Sequence, residues 1–192
     1  MCGAPLHDRL VSLVAGSNTV MRALTAVNSL NLHSWCIGAG IVRNLVWDHL
    51  HGFDVETKPS DIDVVFFEPN NLSVELEELL ERKLMLLEPA FKWEVVNQAG
   101  VHQWLQTRST GEMKPFQSLA EGIASWPEIA TCVGISLTRS GTIDIVAPHG
   151  LTDLFDMVVR RNADYALREV YRERVARKCF TERWPNVKVI AC

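Results

Sequence analysis

A chain of 192 residues that is 47% hydrophobic is long enough for one domain with a substantial core. Its 22% of charged residues and formal net charge of −4 are those of an ordinary soluble protein, and they exclude a dedicated nucleic-acid coat or polybasic membrane binder, which need excess Lys and Arg. A local basic groove stays open.

Along residues 6–30, apolar side chains recur at helical spacing: Leu10, Leu13 and Val14, then Met21, Leu24, Val27 and Leu30. Gly16-Ser17-Asn18 interrupts them, so two helices are expected, the second capped by Ser17 or Asn18. Residues 31–34 read as a turn and Trp35-Cys36-Ile37 as a first strand. A helix over 41–50 should bury Val42, Leu45, Val46 and Leu50, and the polar loop 51–60, with Gly52 and Pro59, should be exposed. A second strand over 61–67 ends at Glu68-Pro69-Asn70-Asn71. Ser73 then caps an amphipathic helix to about residue 87, whose Glu75, Glu77, Glu78 and Glu81 read as a solvated face. Residues 92–97 alternate as a third strand. Helical or irregular segments follow, including 118–125. Two β-rich stretches, 131–138 and 142–147, join through Arg139-Ser140-Gly141 as a hairpin. Helices over 151–161 and 165–183 and a short strand over 187–190 close the chain. The expected class is α+β: a mixed β-sheet flanked by helices, in a single domain over 1–192.

Cys2, Cys36, Cys132, Cys179 and Cys192 are odd in number and scattered, with no CxxC pair, which suits free thiols in a reducing compartment. His7, Asp8 and Arg9 fall where a signal peptide needs an unbroken apolar core, and the longest uncharged run, 23–42, holds too many polar residues for a membrane span. A cytoplasmic protein without membrane contact is expected.

The chemistry concentrates in 34–67. Side chains two apart on a strand share a face, so Asp61 and Asp63 project together, about 6.5–7 Å apart along the strand, while Ile62 and Val64 point the other way. Upstream, Gly38-Ala39-Gly40 lies between a strand and a helix carrying Arg43 and Asn44. Such a turn lets backbone N–H groups approach phosphates, a helix N-terminus favours negative charge, and Arg43 adds a cation. Asp61 and Asp63 are candidate ligands for Mg²⁺ or Mn²⁺, ions that prefer carboxylate and phosphate oxygens. A dinucleotide fingerprint fits poorly. Arg43 takes the third glycine position, and the acids open the second strand where a ribose-binding acid would close it.

A third carboxylate could come from either of two apolar–acid–apolar positions, Asp144 in Ile143-Asp144-Ile145 or Glu94 in Trp93-Glu94-Val95; a buried Asp144 would need a metal or donor. Asn97 and Gln98 end the Glu94 strand and could face the same cleft. His49, His51 and His102 lack further partners at ligand spacing and read as structural or surface residues. The C-terminal arginines (Arg160, Arg161, Arg168, Arg172, Arg174, Arg177, Arg183) with Lys178 read as a solvated helix face, or as a groove for an anionic acceptor such as RNA.

IGAGIVRNLVWDHLHG followed by DIDVVFF resembles the nucleotidyltransferase superfamily of DNA polymerase beta and the CCA-adding enzymes. The latter similarly place a Gly-Gly-x-Val-Arg-Asp helix ahead of an Asp-x-Asp strand. NQAGVH, WPEIAT and APHGLTDLF extend the resemblance to a group of small bacterial nucleotidyltransferase-like proteins over most of the chain. Ala39-Gly40 departs from the usual Gly-Gly or Gly-Ser turn, and Gly100 stands where that group has arginine. The resemblance implies a nucleotidyltransferase fold and two-metal transfer of a nucleoside monophosphate from an NTP to a hydroxyl acceptor, releasing pyrophosphate. The alternatives are a non-catalytic nucleotide-binding or protein-interaction module and an RNA end-modifying enzyme.

Overall fold

The computed structural model describes residues 4–105 and 114–191; Cys2 and Cys192 lie outside them. Helices α1 (Leu6–Gly16) and α2 (Asn18–Asn28) meet at Ser17, whose hydroxyl accepts the Val20 N–H and caps the second helix. Strand β1 (Trp35–Gly38) leads into α3 (Gly40–His51), and β2 (Ile62–Phe66) into α4 (Val74–Leu87) and β3 (Trp93–Asn97). Short helices α5 (His102–Leu105) and α6 (Leu119–Ala124) follow, then a 3-10 turn at Ile129–Thr131 and the hairpin of β4 (Gly134–Leu137) and β5 (Ile143–Val146). The chain ends with α7 (Thr152–Phe155), β6 (Val158–Val159), α8 (Arg168–Lys178), α9 (Phe180–Arg183) and β7 (Lys188–Val189).

Two long helices expected near the C-terminus are each broken. The first stops as α7, because Met157 turns left-handed (φ 55°) and Val158-Val159 pair in parallel with β7. The second is interrupted at Cys179, also left-handed (φ 48°), which turns α9 away from the axis of α8. Among the described residues no single helix is long and apolar enough to cross a membrane; α1 and α2 together would be, but they are bent by 88° at their junction.

The main sheet has the order β3-β2-β1-β4-β5, with β2 and β3 parallel and the other neighbours antiparallel. The β1–α3–β2 unit is therefore an antiparallel return, not the parallel crossover that a dinucleotide fold requires. The register sorts side chains onto two faces. Trp93, Ile62, Val64, Phe66, Trp35, Ile37 and Ile135 lie on one and join the large core formed with α1 to α4. Each such side chain removed from water stabilises the fold by roughly 1.5–3 kcal/mol.

The other face begins with the row Glu94–Asp63–Gly38–Gly134–Val146, followed by Val96–Val65–Cys36–Ser136–Asp144. Its middle is covered by Leu119 and Ile123 of α6 together with Cys132 and Trp126. Gly38 is required there: a Cβ would lie 2.7 Å from both the Trp126 ring and the Val133 carbonyl oxygen. Glu94 and Asp63 are left at the uncovered end of this face.

Candidate active site

The site is built where β1 ends, α3 begins and β2 starts. Asp63 stands opposite Gly38 in the antiparallel register and beside Glu94 in the parallel one. Its carboxylate accepts a hydrogen bond from the Gly40 N–H, the first residue of α3, so a donor of the helix N-terminus is aimed at this group. Asp61 lies one residue ahead of β2, half-buried, and accepts a 2.8 Å hydrogen bond from the Ser60 hydroxyl. Burial first, then the charges of Asp61 and Glu94, push the Asp63 carboxyl up from 3.8 to about 6; Lys178 and the Gly40 N–H pull it down. Ala39, at the turn itself, is held at φ 51° and ψ −112°, a left-handed conformation that an L side chain rarely adopts.

Arg43 folds back beneath this turn. Its guanidinium lies 5.1 Å from the Phe180 ring centre and 5.5 Å from the Trp47 and Trp184 rings, an aromatic cage built jointly by α3 and the C-terminal segment. One arm donates to the Asn44 side-chain oxygen at 2.8 Å, and the buried Nε has no hydrogen-bond partner. Burial lowers its pKa to about 10, with Glu128 and Asp63 raising it and Arg174 and Arg183 lowering it. It therefore stays charged at neutral pH. Asn44 in turn donates to the Thr57 carbonyl and steadies the loop leading to Asp61.

Helix α8 supplies groups that its sequence reads as solvated. Tyr171, Arg174, Val175 and Lys178 turn inward, while Arg172, Glu173 and Arg177 face solvent. Arg174 grips the fully buried Glu128 through two hydrogen bonds of 2.7 and 3.1 Å. Lys178, one turn on, is half-buried. Desolvation and then Arg43 and Arg174 lower its pKa, while Asp61 and Asp63 raise it. The only local sign of this inward face is the 171/174/175/178 spacing, in a helix with almost no apolar stripe.

Three expectations need correction. Asp144 is exposed on β5, separated from β2 by two strands and so by about 14 Å across the sheet. It lines a separate cleft of about 490 Å³ with His33, Ser136 and Arg139, so it is not placed to share an ion with Asp61 and Asp63; Glu94 is the carboxylate in register. Asn97 sits at the opposite end of β3 from Glu94, where its amide accepts from Glu68 and Ala99 N–H groups and donates to the Glu68 and Asn71 carbonyls. It closes a turn and has no amide atom left for a phosphate. Gln98, beside it, packs against Gly122 of α6. The histidines match their structural reading: His51 bonds the Trp47 carbonyl and the Asn186 N–H, His102 the Ala99 carbonyl, and His49 is exposed.

Among the described residues no three His, Cys, Asp or Glu side chains converge closely enough to hold an ion alone. Carboxylates in ones or twos are ligands that Mg²⁺ takes together with substrate phosphate and water. The like-charge crowding of Asp61, Asp63 and Glu94 is the feature such a cation would relieve.

A family model described as nucleotidyltransferase matches residues 25–189. Among solved structures, one determined by NMR and described as revealing a CCA-adding enzyme head domain is similar at 30% identity and a TM-score of 0.79, over 96% of each chain. The Thermotoga maritima CCA-adding enzyme in complex with tRNA gives a TM-score of 0.55 at 13% identity, over 95% of this chain and 42% of that one. A tRNA nucleotidyltransferase with a primer tRNA and an incoming ATP analogue gives 0.50 at 18%, over 86% and 46%. These last two share the fold, and this chain spans less than half of their length. No curated protein sequence matches the chain.

Proposed function

The chain belongs to this nucleotidyltransferase family, and from that premise we propose that it transfers a nucleoside monophosphate from an NTP to a hydroxyl acceptor with Mg²⁺ or Mn²⁺. The observation that carries the reading is the Asp63 carboxylate, bonded to the first N–H of α3 and crowded by Asp61 and Glu94 at the uncovered end of the sheet face. Asp61 and Asp63 would hold the cation, which would supply charge to lower the pKa of the attacking hydroxyl and offset the triphosphate. The turn Gly38-Ala39-Gly40 brings backbone close to the phosphates, and caged Arg43 adds positive charge beneath them. Glu94, exposed beside Asp63, would take the acceptor proton. The acceptor oxygen bonds to the α-phosphorus as the bond to the β-phosphate oxygen breaks, and pyrophosphate leaves.

The test is thermal stabilisation by each NTP with Mn²⁺ or Mg²⁺, in wild type and in Asp61→Asn/Asp63→Asn. A metal-dependent rise in Tm that the double variant loses supports the reading, and pyrophosphate release with candidate acceptors then follows turnover. No shift by any NTP at saturating metal overturns it. An RNA end as acceptor is a second reading, favoured by the exposed Arg168 and Arg177 of α8 and by the tRNA bound to the enzymes of like fold. It predicts transfer rates that fall steeply with added salt.

A further inference from the structure

Resting on the nucleotide-transfer reading, we infer that Lys178 binds the β- and γ-phosphates of the NTP, carried to the mouth of the site by the docked C-terminal helices. Two anchors fix its place. Before it, Arg174 is pinned to buried Glu128 by paired hydrogen bonds. After it, Phe180 and Trp184 close on Arg43 and Trp47, with Trp47–Phe180 and Trp47–Trp184 ring centres 5.8 and 5.3 Å apart, and Trp184 Nε1 donates to Asp48 at 2.7 Å. Lys178 lies between these anchors, one helical turn from Arg174 and on the same inward side.

The charges around it are unbalanced in a telling way. Glu128 answers Arg174, and the aromatic rings cage Arg43. Lys178 has Arg43 and Arg174 as like-charged neighbours and Asp61 and Asp63 as opposite ones, yet among the described residues it makes no ion pair within 4.0 Å. With Asp61 and Asp63 taken up by a cation in the nucleotide-transfer reading, this half-buried ammonium beside two arginines is left to an incoming anion. Its compact charge on a flexible stem suits a non-bridging phosphate oxygen. On this inference Lys178 takes the end of the triphosphate away from the reacting α-phosphorus, and the C-terminal helices complete the nucleotide site.

The experiment is calorimetric titration of wild type, Lys178→Met and Lys178→Arg with each NTP, the matching NMP and tripolyphosphate, all with Mn²⁺. Lys178→Met should weaken NTP and tripolyphosphate binding by about tenfold or more and leave the NMP unchanged, and Lys178→Arg should restore most of the loss. Equal NTP affinity in wild type and Lys178→Met overturns the inference, as does an equal loss for NMP and NTP, which would mark a general disturbance of the site. Wild type binding no nucleotide would instead sink the nucleotide-transfer reading from which this one proceeds. Unchanged unfolding temperatures of the ligand-free variants separate lost contacts from lost fold.

Discussion

Asp48 lies on α3 and Asp63 at its N-terminus, and their surroundings treat the negative charge in opposite ways. Asp48 is buried and accepts three hydrogen bonds: from the Thr57 N–H at 2.6 Å, the Thr57 hydroxyl at 2.8 Å and Trp184 Nε1 at 2.7 Å. It ties the 52–60 loop and the C-terminal segment to one helix. Asp63 receives the Gly40 N–H but faces two further carboxylates, and its pKa is pushed up to about 6. Glu128 belongs with Asp48, fully buried but answered by Arg174 and the Thr131 hydroxyl. A buried carboxylate whose oxygens are fully answered holds the fold together; one left among its own kind is available to an incoming cation.

Removing the partner of a satisfied carboxylate should cost most. Arg174→Ala leaves Glu128 without its cation inside the protein, and a loss of about 4 kcal/mol in unfolding free energy is expected from urea denaturation. Asp48→Ala frees the Thr57 N–H and the Trp184 indole at once and should cost about 3 kcal/mol. Near-wild-type stability in either variant would break the comparison on its structural side.

Asp63→Asn should act in the opposite direction in metal-free protein. The unfolded carboxyl titrates near 3.8 and the folded one near 6, so between these values the native state binds more protons and its stability falls as pH rises. Above about pH 6 the full penalty is in force, and below about pH 4 it has vanished. The variant should therefore be more stable than wild type by about 3 kcal/mol at pH 7–8 and equal to it near pH 4. Saturating Mn²⁺ should reverse the order by stabilising wild type alone. A variant less stable than wild type at pH 8 without metal would place Asp63 with Asp48.

What could be read beforehand follows the same division. The turn, the first acids and the helix between them lie within about thirty residues, so local periodicity and spacing were enough to assemble them, and Ile62 and Val64 lie on the core face as alternation requires. Choosing between Glu94 and Asp144 needed strand order. Both sit in the same apolar–acid–apolar setting, and only the parallel β2–β3 pairing brings one of them to Asp63. Asn97 departs from its expected place because an amide at a strand end looks identical in sequence whether it faces a cleft or closes a turn. Arg174 and Lys178 were hidden for a different reason. A helix dense in arginine shows no apolar stripe to reveal its inward side, and the carboxylates they face, Glu128 for Arg174 and Asp61 and Asp63 for Lys178, lie far away in the chain.

The smallest expected effect tests whether the polar end of the sheet face carries backbone strain as well as charge. Ala39 accepts the Arg43 N–H through its carbonyl and donates to the Val133 carbonyl at 3.3 Å, so the chain is fixed on both sides of a φ of 51°. Glycine adopts that conformation without the Cβ clash, although it gives the unfolded chain more freedom to lose. The two contributions oppose each other, and relief of a strained left-handed residue is the larger, so Ala39→Gly should raise unfolding free energy by about 1 kcal/mol. The same change at Ala26, on the buried side of α2, removes a good helix former without relieving anything and should lower stability by a similar amount. Opposite signs for these two Ala→Gly variants in parallel denaturant melts would locate the strain at the turn into α3; equal losses would show that Ala39 rests there unstrained.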